Sequence, residues 1–319
     1  MFLEDELLEI FLQIFIALIA FNYTEKFLIP NFEDRKKSLV AWILIYASVH
    51  IFFSKVTESF TPHNRFINLI PHILIFYALQ KKFFITDKAK NIFVIATFTA
   101  GWEILRFAVS PLSHAIFNLW GSSWAWLVNF LTEKAIFDAE KIISAMMIVN
   151  RAAIFFVIFI CRAVQLAIFI FYLRAISKKF LRNYNLKFFD SLFLIFPCVT
   201  VLLIDFTVRL MAFSADNGAM MLIYERVPET VLLLPVVSLL LLGVIVSTVI
   251  LFENFVRFKE EEQKRLLLEN RVVQVHQEIS ELQEIYSDIR GLKHDLRNHL
   301  ENIFAFVRKN SVQSVELEN

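Results

Sequence analysis

The sequence contains few of the residues that build phosphate-binding loops, disulfide frameworks or metal sites. Only five of its 319 residues are glycine, and none stands near another, so no Gly-rich phosphate loop is present. The two cysteines, Cys161 and Cys198, lie in apolar runs, without the spacing of a metal site. The histidines show no HExxH spacing. We therefore expect neither a metal centre nor an ATP-binding loop in this sequence.

What the sequence does contain is apolar residues, which make up 57% of the chain and raise its mean hydropathy to +0.59. A soluble domain does not need so many to fill its core. The net charge of +1 gives no reason to expect nucleic-acid binding. The first ten residues, MFLEDELLEI, are acidic where a secretory signal is basic, so we expect the first apolar segment to remain in the mature protein. The composition predicts an all-α, polytopic protein of the cell membrane.

Membrane spans are predicted wherever about 20 mostly apolar residues follow one another. Loops on one side carry four, four and five Lys/Arg, and loops on the other carry two, three and one. The positive-inside rule then places the N-terminus outside and the C-terminal tail in the cytoplasm. One outer loop includes NLWGSSWAWLVNFL, whose tryptophans favour an anchor at the membrane interface over a ligand site. Seven segments qualify as spans: 7–23, 39–54, 66–84, 91–110, 152–173, 188–213 and 230–252.

Two pairs of opposite charges fall inside predicted spans, where charges are costly. Asp205 and Arg209 are four residues apart, and Glu103 and Arg106 are three apart, so each pair shares one helix face. Mutual neutralisation within a packed bundle explains both pairs. The alternative is that they line the cavity that binds a signal. We keep these four residues as the candidate ligand-binding residues.

From Glu253 the chain changes to a charged sequence without proline, which predicts one long helix. Apolar residues recur there at alternating steps of four and three, as in a heptad repeat, and this predicts a parallel homodimeric coiled coil. The phase is ambiguous between 286 and 293, and Gly291 weakens the helix at that point. Either a packing irregularity or a hinge explains this. The repeat consists of Leu268, Val272, Val275, Ile279 and Leu282, then Ile289, Leu296, Leu300, Ile303 and Val307.

His294 is expected on the side of this helix opposite the apolar seam. At 100° per residue, the seam residues after it centre about 210° away. The adjacent carboxylate of Asp295 can orient the imidazole and accept its proton while the other ring nitrogen attacks an electrophile. His299 lies about 140° further round the helix, so the two histidines do not chelate one metal ion. The pattern indicates a solvent-exposed nucleophile.

The stretch LKHDLRNHLENI resembles the histidine-bearing helix of quorum-sensing sensor histidine kinases, whose ATPase domain is of the GHKL class. These are membrane receptors for peptide pheromones. The family pattern Arg/Lys-His-Asp-x-x-Asn-His-Leu is matched from Lys293 to Leu300. The resemblance implies that His294 is the phosphoacceptor, Asp295 its acid/base partner and Asn298 a neighbour at the ATPase-docking surface. It also implies a response regulator as partner and an extracellular signal of the peptide class.

The family's nucleotide-binding domain does not occur in the sequence. Only 25 residues follow His294, whereas that domain needs on the order of 100. ATP and Mg²⁺ are therefore expected only with an ATPase domain that this chain does not contain. We expect a membrane sensor at 1–252, a coiled-coil signalling helix at 253–290 and a partial dimerisation and phosphoacceptor hairpin at 291–319.

Three functions fit this organisation. The first is the sensor and phosphoacceptor part of a two-component histidine kinase. The second is a kinase-dead receptor or scaffold, which an ATPase domain in frame downstream would exclude. The third is a transporter with a coiled-coil tail, although the sequence shows no inverted repeat and no pair of broken helices.

Overall fold

A computed structural model describes the backbone of residues 2–58, 69–85, 87–133, 139–179, 188–212, 214–216, 219–221, 227 and 229–316. Side chains are described for 8–56, 69–85, 87–130, 148–178, 189–208, 227 and 229–305. Nearly all of this backbone is helical, as predicted, and it forms seven helices. They are α1 (Phe2–Phe27), α2 (Arg35–Glu58), α3 (Leu69–Phe83), α4 (Lys88–Glu133), α5 (Ala139–Lys179), α6 (Phe188–Ala212) and α7 (Thr230–Glu316).

Six of the helices in the described residues are long and apolar enough to cross a membrane. The length and composition of these helices agree with a membrane protein. The exception is α3, which has 15 residues where a span needs about 20. It covers most of the predicted third span, and the ten residues before it lie outside the described part of the chain. The number of spans stays a prediction.

Helices α4 and α5 extend well beyond the spans predicted at 91–110 and 152–173. At 1.5 Å per residue, the 46 residues of α4 extend about 69 Å, more than twice a bilayer core of about 30 Å. Much of the predicted outer loop at 111–151 is therefore helical. Pro111 lies inside α4, and the helix continues beyond it to Glu133. Proline removes only one backbone donor, so the neighbouring residues keep their helical hydrogen bonds. Ser113 donates its hydroxyl hydrogen to the carbonyl oxygen of Ser110 at 2.7 Å, within the same helix.

Two short antiparallel strand pairs interrupt the helical pattern. Strand β1 (Ile29–Pro30) pairs with β2 (Phe84–Ile85), which joins the α1–α2 connection to the α3–α4 connection. Strand β3 (Ser214–Asp216) pairs with β4 (Ala219–Met221) after α6. These strands were not predicted, because two or three residues are too few to show a periodic pattern.

The chain divides into two compact units, Met1–Asn254 and Phe255–Asn319. Within the first unit, α4 packs against both α5 and α6, and α1 packs against α2. In the second unit, every described side chain from 257 to 305 is exposed. Backbone helix continues to Glu316, so the hairpin predicted at 291–319 has no turn in the described residues. Residues 308–316 contain neither glycine nor proline, and nothing local stops the helix there.

Gly101 allows α4 and α5 to approach closely. A Cβ atom built there would overlap the ring of Tyr172, which is buried and donates a hydrogen bond to the carbonyl oxygen of Thr97 at 3.1 Å. We expect Gly101→Ala to displace this ring and to destabilise the protein by about 1–3 kcal/mol.

Thermal unfolding of the full chain in lipid nanodiscs measures this effect. Gly121→Ala is the matched control, since a Cβ there meets nothing within 4 Å and alanine favours the helix. Equal midpoints for the two variants would mean that α4 and α5 do not pack at Gly101.

Candidate functional site

The phosphoacceptor candidate His294 lies on α7 and is exposed, with 73% of its side chain accessible. Its Nδ1 atom lies 3.1 Å from Nδ2 of Asn298, one helical turn later. The Asp295 carboxylate is 3.7 Å from the same Nδ1 atom, beyond hydrogen-bonding distance. The structure thus places the three predicted site residues together, with Asn298 rather than Asp295 nearest the ring.

The chemistry of His294 depends on which ring nitrogen carries the proton. Attack by Nε2 requires its lone pair, and in the neutral ring the proton is then on Nδ1. In that tautomer Nδ1 donates to the Asn298 carbonyl oxygen once the amide is rotated by 180°, a rotation that preserves the geometry. The Asp295 carboxylate is the second oxygen acceptor near this nitrogen, at 3.7 Å. The helix therefore places two groups with oxygen acceptors beside Nδ1 of His294.

The apolar seam of α7 is uncovered in the single chain. Its members between 268 and 303 are each about half exposed, among them Leu268 at 65% and Leu300 at 50%. Val307 is helical, but its side chain lies outside the described residues. Gly291 is also helical, and a Cβ there would meet nothing. Its lack of a side chain weakens the helix by about 1 kcal/mol relative to alanine without serving close packing.

The predicted pair Glu103 and Arg106 is close together, whereas the pair Asp205 and Arg209 is only half described. Glu103 and Arg106 form an ion pair of 3.8 Å on α4. Asp205 on α6 is completely buried. Arg209 belongs to α6, but its side chain lies outside the described residues, so the predicted pair with Asp205 stays a prediction.

Sequence reasoning missed a polar cluster that four helices share around Glu103. Glu103 interacts electrostatically with His50 on α2 and His72 on α3. On α5, Arg162 interacts with Arg106. His50, His72 and Arg162 each stand nearly alone among the apolar residues of their own spans. No charge pair within one helix points to them, although an ionisable residue inside a span is itself a signal.

No group of three or more metal-ligating side chains occurs in the described residues. No protein-family model, curated protein or solved structure matches the chain.

Proposed function

We propose that the chain is the membrane sensor and phosphoacceptor part of a two-component histidine kinase. The observation that carries the proposal is the site at His294. An exposed imidazole has Asn298 and Asp295 beside one ring nitrogen, within a motif that resembles the phosphoacceptor helix of quorum-sensing kinases. The other nitrogen accepts the γ-phosphoryl group of ATP held by an ATPase domain of the GHKL class. Transfer of phosphate to His294 in the full chain is the test.

The chain acts as a homodimer in this proposal. The uncovered seam of α7 supports it, since a heptad stripe that is half exposed in one chain is buried by an identical stripe on a second. Two parallel tails then lie side by side, and each His294 points outward from the seam. A response regulator receives the phosphate from this exposed position.

The signal is proposed to act on the membrane unit from outside the cell. The helices of that unit have two or more packed arrangements, and the signal favours one of them. Because α7 contains both the last apolar segment and the tail, a change at its start alters the phase of the coil near Gly291. This changes how His294 is presented. A peptide signal is proposed on the family resemblance alone.

Orientation gives a first prediction for this mechanism. We expect a cysteine placed at Asp5 to react with a membrane-impermeant maleimide in intact cells, and one at Glu261 to react only after lysis. The reason is the uneven distribution of Lys/Arg among the loops. Labelling uses a background in which Cys161 and Cys198 are alanine. Reaction of both positions on the same side of the membrane would remove one span and contradict the proposed orientation.

A further inference from the structure

The apolar start of α7 buries one stripe of side chains against its own chain. Successive members of this stripe are four and three residues apart, which is the spacing of a heptad repeat. The ring centre of Phe252, at the end of the stripe, lies 6.4 Å from that of Phe193 on α6. The buried stripe therefore faces α6. Its members are Ser238, Leu242, Ile245, Val249 and Phe252.

The opposite side of this part of α7 is exposed in the single chain. Two residues along a helix turn it by about 200°, so the residue two places after each buried one points away from α6. All five such residues are exposed, among them Leu240 at 65% and Leu251 at 64%. Together they form the exposed stripe of α7. It consists of Leu240, Val244, Ser247, Leu251 and Asn254.

The exposed stripe has the same heptad phase as the seam of the tail. Leu240 lies 28 residues, or four heptads, before Leu268, the first residue of the seam. Both stretches keep alternate steps of four and three, and α7 is one helix over this range. Glu261 and Arg265, which occupy the same phase in between, interrupt the apolar pattern without shifting it. By residue count, the exposed stripe and the seam belong to one repeat.

Exposure alone does not identify what covers the exposed stripe, because lipid tails cover apolar side chains as well as protein does. Two observations favour a second copy of the chain. One is the phase, since a parallel coil places two identical repeats side by side. The other is the pair Gly243 and Ser247, small residues four apart that let two membrane helices approach closely. A Cβ at Gly243 would meet nothing within 4 Å in its own chain, so space for another helix exists there.

We propose that a second copy of the chain docks on the exposed stripe, so that two α7 helices pair along their apolar segments as well as along their tails. The proposal rests on the parallel homodimer of the proposed function and adds its contact within the membrane. Each α7 then lies between its own α6 on one side and the α7 of the other copy on the opposite side. Asn254 meets its counterpart, and a polar residue in an apolar seam fixes the register of the two helices.

The test is disulfide crosslinking of the full chain in native membranes, with Cys161 and Cys198 replaced by alanine. We expect Leu240→Cys, Val244→Cys and Leu251→Cys to form covalent dimers after oxidation with iodine, as seen by non-reducing electrophoresis. A disulfide needs Cβ atoms about 4 Å apart, which residues facing their own counterparts approach.

Leu239→Cys is the matched control. It lies at the same depth as Leu240 and is 48% exposed, but it points about 100° away from the exposed stripe. We expect this variant to remain a monomer. All four positions are exposed in one chain, so cysteine there removes no buried contact and leaves the fold intact.

Val275→Cys, in the seam of the tail, separates failure of this inference from failure of the homodimer. Crosslinking at Val275 with none at the three stripe positions would overturn the inference and leave the homodimer standing, with lipid covering the stripe. Equal crosslinking at Leu239 and Leu240 would show random collision and would overturn it as well. A chain that crosslinks at none of these positions would contradict both. Crosslinking along the stripe but not at Val275 would support the membrane contact and contradict the seam of the tail.

Discussion

His294→Gln is expected to abolish phosphorylation of the full chain by an ATPase domain fused after Asn319 or supplied on a second dimerising chain. Glutamine has no nucleophilic nitrogen, because its amide lone pair is delocalised. The substitution leaves the helix intact, since an exposed position of this kind changes stability by less than about 0.5 kcal/mol. Incorporation of radiolabelled phosphate, stable to base and labile to acid, measures the effect. Label in the variant should fall to background.

Two neighbouring substitutions sharpen this test. His299→Gln should still be labelled, because His299 lies about 140° from His294 around the helix. Asp295→Asn should be labelled about a hundredfold more slowly, since an amide cannot take the ring proton and general base assistance is commonly worth that much. Circular dichroism of all three variants checks that the helix is retained.

The alternatives make different predictions in the same experiment. Label that persists in His294→Gln and disappears in His299→Gln would identify His299 as the phosphoacceptor. A wild-type chain that takes no label from an active ATPase domain would replace the kinase function with that of a receptor or scaffold. The fused ATPase domain and the one supplied on a second chain should label the same histidine, because both bring the domain to the same helix.

Leu282→Glu is expected to break the dimer. In one chain this leucine is 54% exposed, so glutamate there costs little in the monomer. In the proposed dimer, the change removes two buried leucines and places two carboxylates opposite each other across the seam. Loss of about 1.5–3 kcal/mol of burial per chain weakens dimerisation by at least about a hundredfold. Sedimentation equilibrium in detergent measures the dissociation constant.

Leu267→Glu is the matched control for this change. Leu267 is 69% exposed in one chain and lies outside the heptad stripe, so the same charge is added on the outer face. We expect its dimer to match the wild type. A wild-type monomer, or equal dissociation constants for the two variants, would show that the seam of α7 does not hold two chains together.

Much of the fold could be predicted from local pattern. The apolar runs predicted long apolar helices, because a helix that satisfies its own backbone can be recognised from composition and length alone. The span predicted at 91–110 covers only part of α4, which continues through Pro111 to Glu133, because a proline ends a helix only if the following residues gain more from another conformation.

The His294 site was also accessible to local reasoning. His294 and Asn298 are four residues apart on one helix, so helical geometry alone places them within hydrogen-bonding reach, and the structure gives 3.1 Å. The dimer seam was visible as a heptad repeat, although its pairing stays a prediction. Sites of this kind need no contact between distant parts of the chain.

The sequence by itself determined the features that arise within one helix: the apolar segments, the charged tail and the residues around His294. Only tertiary structure decided which helices exchange polar contacts. His50 and His72 are 22 residues apart on separate helices, and no spacing pattern in the sequence links one to the other. Their proximity follows from the packing of α2 against α3. That packing depends on summed contacts across the whole bundle, which no local period encodes.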